Sequence, residues 1–475
     1  MGQEITNSHF HKRDYHLFQH SLDHEMEILR HWFEDETFCN TEPMVGLELE
    51  GWLVDSDLHP AAANHLLSQR LNPSLVVPEL ARFNIEINST PQPLHTTPFS
   101  ALSAELLSTW QQTADTCHAM NLDLVMTGIL PTIQQKDFCL SNMSDLQRYR
   151  ALNEQVMRMR QGTPLEFEIE GNESLHFCHH DVMMEAAGTS LQIHLQVPYR
   201  HITAAFNHAI RISAPMVALC ANAPYLFGKD LWAESRIPLF EQAINVNQLS
   251  HRLGEGRVSF GTGYTRENLL DLFQENRDHY PIMLPICQPG DPQQLTNLML
   301  HNGTIWRWNR PLVSLDTSGK PQLRIEHRVA SAGPTLEDII ANTVFFSGVI
   351  MGMLTQPDEK YLHHPFATAR NNFYHAARWG LESEVQWGRQ RGTLRNLLTK
   401  VLIPLAETGL QQLELPPSEW RPWLEIIAAR VATGQNGSEW QRRWVARHGR
   451  DPASLLGAYL EKQNSGNPVH QWNFS

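Results

Sequence analysis

Glu48 and Glu50 stand two residues apart in "GLELEGWLVD" (46–55). On a strand, residues i and i+2 point to one face. Two carboxylates held side by side repel, and each raises the other's pKa unless a cation lies between them. Three further strand-like stretches carry polar groups where a half-buried strand favours apolar ones. "PELARFNIEIN" (78–88) holds Glu79 and Glu86; "SLQIHLQ" (190–196) puts Gln192 and His194 on one face; "LRIEHRV" (323–329) lines up Arg324, Glu326 and Arg328. Each stretch alone fits an ordinary solvated strand: surface carboxylates, a packing histidine, a cross-strand charge ladder. Taken together they suit a different chemistry. Carboxylates with a His and a Gln suit Mg²⁺ or Mn²⁺, and arginines on the same sheet suit a phosphate or a carboxylate. Acids and arginines converging on one concave sheet face meet the needs of an ATP-dependent ligase, in which metals screen the triphosphate and arginines hold the transferring phosphoryl group.

Those groups need elements to carry them. Apolar residues at helical spacing (Leu17, Leu22, Met26, Leu29, Phe33) predict an amphipathic helix over 14–38. The Glu48/Glu50 strand follows, then a strand-like run ending at 88 and a long helix starting near Pro98. "LDLVMTGIL" (122–130), "LEFEIEG" (165–171) and "TSLQIHLQVP" (189–198) read as strands, and 200–222 as a helix that Pro215 could bend. The Gly- and Pro-containing stretch 224–320 predicts long functional loops with short strands. A strand over 320–330 and a helix starting at Pro334 and Thr335 come next, and beyond about 366 the pattern is helical. Strands and helices mix without βαβ alternation, which predicts an α+β fold built on a large antiparallel sheet. The expected division is a catalytic part, 1–383, and a helical C-terminal region, 384–475, which covers the sheet or forms an oligomer surface. Trp420, Trp423, Trp440 and Trp444 in that region read as packing residues.

The chain of 475 residues carries 37 Lys and Arg against 51 Asp and Glu, a net charge of −14. That argues against general nucleic-acid binding, which runs on basic surface. No stretch approaches the roughly 20 unbroken apolar residues of a membrane span. The polar opening stretch lacks the apolar core of a signal peptide. The six cysteines are scattered with no CxxC spacing, as expected of free thiols in a reducing cytoplasm. There is no Walker A loop or dinucleotide fingerprint.

The order and spacing of the four polar strands resemble the glutamate–cysteine ligase family, in its carboxylate–amine ligase branch of the glutamine synthetase superfamily. Three more segments carry the likeness. "NGTIWRWNRPLV" (302–313) is similar to the family's segment that supplies a substrate-facing arginine, here Arg310. "NNFYHAARWGLES" (371–383) resembles a family helix through Asn372, Ala376, Ala377, Arg378 and Gly380. "ANAPYLFGKDLWAESRIPLFEQA" (221–243) resembles a loop ending in Ser235 and Arg236, which the resemblance assigns to nucleotide binding. The resemblance implies a glutamine-synthetase-like fold and two metal sites sharing the first strand. One would use Glu50, Glu79 and Glu86; the other Glu48, Glu326 and the Gln192/His194 strand. Many relatives have His at the position of Gln192. Gln can ligate a hard cation through its carbonyl oxygen, so either Gln192 or His194 serves as the ligand, or His194 contacts the nucleotide. Arg310, Arg324 and Arg328 would face the phosphoryl group and the acid. The implied reaction uses Mg²⁺ (or Mn²⁺) and ATP to join a glutamate-like acid to cysteine or another amine through an acyl phosphate. Two rivals remain: a guanidino kinase, which would need a reactive cysteine such as Cys287 near the phosphate, and a non-catalytic nucleotide- or amino-acid-binding relative.

Overall fold

The computed structural model describes residues 5, 9–40, 42–246, 256–287, 290–356 and 364–474. Its centre is an eight-stranded sheet. We label the six strands of its main path β1 (Met44–Val54), β2 (Val76–Pro78), β3 (Asn84–Asn88), β4 (Ser190–Gln196), β5 (Asn309–Leu315) and β6 (Pro321–Ser331). Their spatial order is β5-β6-β4-β1-β3-β2, every neighbouring pair is antiparallel, and two short strands, Gln92–Pro93 and Asp123–Val125, also pair with β1. The four polar stretches singled out in the sequence therefore lie on or beside contiguous strands. The fold is α+β with a curled antiparallel sheet and a helical C-terminal region.

Register places the polar groups on one face. Glu50 lies opposite Glu86, and Glu48 lies between Asn88 on β3 and Gln192 on β4. His194 faces Glu326, which faces Arg310 in turn. The intervening residues Leu47, Leu49, Ile85, Ile87, Leu191, Ile193, Leu195 and Ile325 point the other way and are buried. Period-two alternation thus serves both ends: one face builds the core while the other collects charge.

Helices surround the sheet. They are α1 (Lys12–Glu34), α2 (Pro98–His118), α3 (Gln147–Met159), α4 (Tyr199–Cys220), α5 (Arg236–Ala243), α6 (Thr296–Gly303), α7 (Leu336–Leu354) and α8 (Phe366–Trp379). α1 buries Phe18, Leu22, Met26, Leu29 and Phe33. Pro98 opens α2, where its missing N–H costs nothing. The Thr335 hydroxyl caps α7 by accepting from the Asp338 N–H at 3.2 Å. Among the described residues α7 is the one helix long and apolar enough to cross a membrane, and 83% of its apolar window is buried inside the protein. α8 stops at Gly380, whose φ of 63° lies in the left-handed region that favours glycine.

Two expectations are corrected. The stretch 224–320 is more than loops: it holds α5, a helix Leu270–His279, and α6. The expected strand over 122–130 shrinks to Asp123–Val125. The later helices Ile403–Gln412, Pro417–Thr433, Gly437–His448 and Pro452–Asn464 join one continuous hydrophobic core with the rest. Trp420, Trp440 and Trp444 are buried in it and Trp423 packs against it, as expected. A buried Arg430–Asp338 pair at 2.7 Å ties this region to α7.

Candidate active site

The charged face divides into two halves with opposite electrostatics. On the β5–β6 side, Glu326 receives both ends of a fork from Arg310: Nε donates to Oε2 at 2.7 Å and Nη2 to Oε1 at 2.9 Å. Arg328 Nη1 adds a donation to Oε2 at 3.2 Å. Burial alone would raise the Glu326 carboxyl; the two guanidiniums and His194 outweigh it and hold the group below the usual carboxylate range. Burial also pushes Glu48 up, but the neighbouring His194 prevails and brings it to about 2. The His194 Nε2 atom lies 3.2 Å from Glu48 Oε1 and 3.9 Å from Glu326 Oε1, close enough for an ion pair but not aligned for a hydrogen bond.

On the β1–β3 side the acids lack such partners. Burial raises Glu50 despite Arg328. It raises Glu79 well above the ordinary range, with Glu86, Glu50 and Glu185 adding repulsion. Glu86 is pushed to about 8 by burial and by Glu48. Glu185, which sequence reasoning missed, is pushed to about 7 by burial and by Glu50. It sits in a short 3-10 turn, Val182–Ala187, capped by the Asp181 side chain. The signal for it was a single acid inside the run "MMEAAG", and no spacing rule selects that.

Several buried ligand atoms have no hydrogen-bond partner in the protein: Glu48 Oε2, Glu79 Oε1, Glu86 Oε2 and His194 Nε2. Buried polar atoms are rarely left so. Clustered acid oxygens without donors are a donor set fitted to a divalent cation. Among the described residues one trio, Glu48, His194 and Glu326, brings its ligand atoms within 4.8 Å of one another. Gln192 is differently engaged. Its amide donates to Glu50 Oε1 at 3.0 Å, and its carbonyl oxygen accepts from Arg328 Nη1. That carbonyl is the only atom Gln192 could offer a cation.

A bulge in β6 between His327 and Ala330 sets where Arg328 points. Arg236 meets the carbonyls at this irregularity: Nη2 donates to Val329 O at 2.7 Å and, more weakly, to Arg328 O at 3.4 Å. Its Nε is paired with the fully buried Glu234 at 3.0 Å. Among the described residues, the Ser235 hydroxyl bonds the Trp232 backbone, at 3.1 Å. The Arg236 guanidinium thus bonds inside the fold while its side chain also borders the small cleft beside Glu50, Glu185 and Arg328, and its charge acts to lower Glu50; the Ser235 hydroxyl stays on its own loop. The end of α8 docks on the same loop, with the carbonyls of Ala377 and Arg378 accepting from Glu234 and Ala233 at 2.8 and 3.0 Å. Asn372 pins the hairpin strand Glu384–Trp387 through the Gln386 backbone.

Two large cavities flank the charged face. One, of about 250 Å³, is bordered by Glu48, His194, Asn88, Gln196, Gln322 and Arg324. The other, of about 340 Å³, has Glu79, Glu185, Arg310 and Arg328 at its charged end. A cleft of about 30 Å³ beside Glu50 and Ser190 also touches Glu79, Glu185 and Arg328. Arg324 borders the first cavity, and burial lowers its pKa. Cys287 lies elsewhere, among groups of α1, where burial raises its thiol. Among the described residues, Asp14 and Glu25 act on it as negative charges, which oppose the thiolate.

The family description "Glutamate-cysteine ligase family 2" matches residues 44–454. No curated protein matches the chain by sequence. Among solved structures, a glutamate–cysteine ligase from Francisella tularensis in complex with AMP superimposes with a TM-score of 0.57 at 14% identity, covering 92% of this chain and 91% of that one. A bifunctional glutathione synthetase from Pasteurella multocida gives 0.53 at 10% identity, covering 95% of this chain and 55% of that one. At such identities the likeness speaks for a shared fold.

Proposed function

Because the chain belongs to glutamate–cysteine ligase family 2, a family of ATP-dependent carboxylate–amine ligases, we propose that it joins a glutamate-like acid to an amine, cysteine or another, through an acyl phosphate. One observation supports this above the others. Four neighbouring segments of one sheet face bring together five acids and His194, with unpartnered ligand atoms, beside three arginines, and Glu185 joins them from a 3-10 turn.

Glu48, His194 and Glu326 would hold one divalent cation, and Glu50, Glu79 and Glu86 a second. His194 thus takes the ligand role first open to Gln192, because its ring nitrogen lies within the Glu48–Glu326 cluster while the Gln192 side chain is turned toward Glu50 and Arg328. Mg²⁺ or Mn²⁺ held there supplies charge that screens the triphosphate. The 250 Å³ cavity beside Glu48, His194 and Arg324 would take the nucleotide. Arg310 and Arg328 face the other cavity, where the acid carboxylate reacts. A carboxylate oxygen attacks the γ-phosphorus and ADP leaves. The guanidiniums stabilise the spread charge of the transferring group. The amine nitrogen, having lost a proton, then attacks the acyl carbon, and phosphate departs. No side-chain nucleophile is required.

Hydroxylamine tests this reading as a substitute amine. With ATP, Mg²⁺ and glutamate, an acyl hydroxamate should form in amounts matching ADP. ADP release without hydroxamate, across a panel of acids, would contradict an activated acyl intermediate.

A further inference from the structure

We propose that the amine substrate of this chain carries a bulky apolar body, and that the 340 Å³ cavity receives it. The inference rests on the ligase reading above and narrows it. Away from its charged end the cavity is walled by Leu80, Leu152, Leu284, Met299, Leu300 and Trp306. Its volume lies within the range of pockets that enclose small organic ligands, and such pockets pair an apolar wall with a few placed polar groups. Here the polar groups stand at one end. Glu79 and Glu185 border it among Arg148, Arg310 and Arg328, and their carboxyl oxygens can accept from the N–H groups of an amine placed at that end. Arg310 and Arg328 stand beside them, where the activated acid would sit. An amine placed there points the remainder of its molecule along the apolar wall.

The wall is a built feature. α6 carries Met299 and Leu300, and its first turn is fixed by the buried Glu25 of α1, which accepts from Asn297 Nδ2 at 2.6 Å and from Leu298 N at 2.7 Å. α3 supplies Leu152 from the opposite side. A small amine such as cysteine leaves most of this wall wet. A phenyl or isobutyl group covers it, and each added methylene gains hydrophobic transfer energy. The nucleotide is the less fitting occupant, because the Glu48/His194 pair borders the other, more polar cavity.

The test measures amine-dependent ADP release with ATP, Mg²⁺ and glutamate, comparing 2-phenylethylamine and leucine with ethylamine, glycine and cysteine. The bulky apolar amines should show kcat/KM about tenfold or more above the small ones. Met299→Trp, which fills the cavity from a partly exposed helix position, should remove that advantage, and a thermal unfolding midpoint matching wild type shows that the variant folds. ADP release that favours cysteine or glycine, or a preference indifferent to Met299→Trp, would overturn the inference and leave the ligase reading standing. No amine-dependent ADP release with any of the five would overturn both.

Discussion

Arg310 and Glu326 face each other across β5 and β6 and are joined by two parallel hydrogen bonds, at 2.7 and 2.9 Å. Both are buried, at 7% and 2% exposure. Bidentate pairing of this kind fixes geometry as well as charge. It makes Arg310 the orienting partner of a proposed metal ligand as well as a candidate substrate contact.

Arg310→Ala should therefore lower kcat by about 10²-fold or more, the order seen when one aimed donor is lost from a charge-stabilising site. Steady-state kinetics with the acid and with ATP varied separately would check it. Arg310→Lys should fail to restore the rate, since a lysine cannot make the fork. Full rescue by lysine would mean that charge alone matters at this position.

Glu86→Gln should stabilise the protein in EDTA and reduce its stabilisation by Mg²⁺. The carboxyl is pushed to about 8 by burial and by Glu48, so at pH 8.5 it is largely ionised against its surroundings. Removing that charge relieves on the order of 4–5 kcal/mol, about 1.4 kcal/mol for each pH unit between the ordinary and the folded value. Thermal unfolding of wild type and variant, with EDTA and with Mg²⁺, reads both effects. A variant less stable in EDTA yet stabilised by Mg²⁺ as much as wild type would remove Glu86 from the metal site.

Glu234→Gln should destabilise the fold by about 3–5 kcal/mol, the range for breaking a buried ion pair and leaving one charge uncompensated. It would leave the Arg236 guanidinium buried beside the bulge carbonyls of β6. Denaturant unfolding measures the loss. A change below about 0.5 kcal/mol would show that the pair does not support the bulge.

Acidification should destabilise the protein through His208 and His301. Burial, with Arg211, holds His208 down to about 3, and burial holds His301 down to about 4. In the unfolded chain both titrate near 6.5. Their contribution is fully present above pH 6.5 and is lost as pH falls toward the folded values, by up to about 1.4 kcal/mol per pH unit for each histidine. The Tm of His208→Gln between pH 7 and 4 should fall less steeply than that of wild type. Equal slopes would contradict the assignment.

Much of this site was readable before the fold was known, and the reason is periodicity. Glu48/Glu50, Gln192/His194 and Arg324/Glu326 sit at i and i+2, a spacing that has one meaning on a strand. Which strands are neighbours was not legible, because β6 reaches β4 across more than 120 residues of chain, and only long-range pairing sets that adjacency. Glu185 was missed for a related reason: it reaches the acids from a 3-10 turn, which has no signature spacing. Ser235 and Arg236 were legible as a motif, but a motif does not say which way its side chains face. The interior pairing of Arg236 with Glu234 and the Val329 carbonyl is a property of the folded chain alone. The helices inside 224–320 are short, eight residues each for α5 and α6, and α5 is buried on all sides, so neither shows an amphipathic pattern.

The central claim is that an acid oxygen attacks the γ-phosphorus of ATP on this sheet face. The most direct measurement supplies glutamate labelled with ¹⁸O in its side-chain carboxylate, with ATP, Mg²⁺ and an accepted amine, and weighs the released phosphate. An acyl phosphate intermediate requires one ¹⁸O atom in each phosphate formed. Unlabelled phosphate accompanied by amide product would contradict it, because the carboxyl oxygen would then have left by another route.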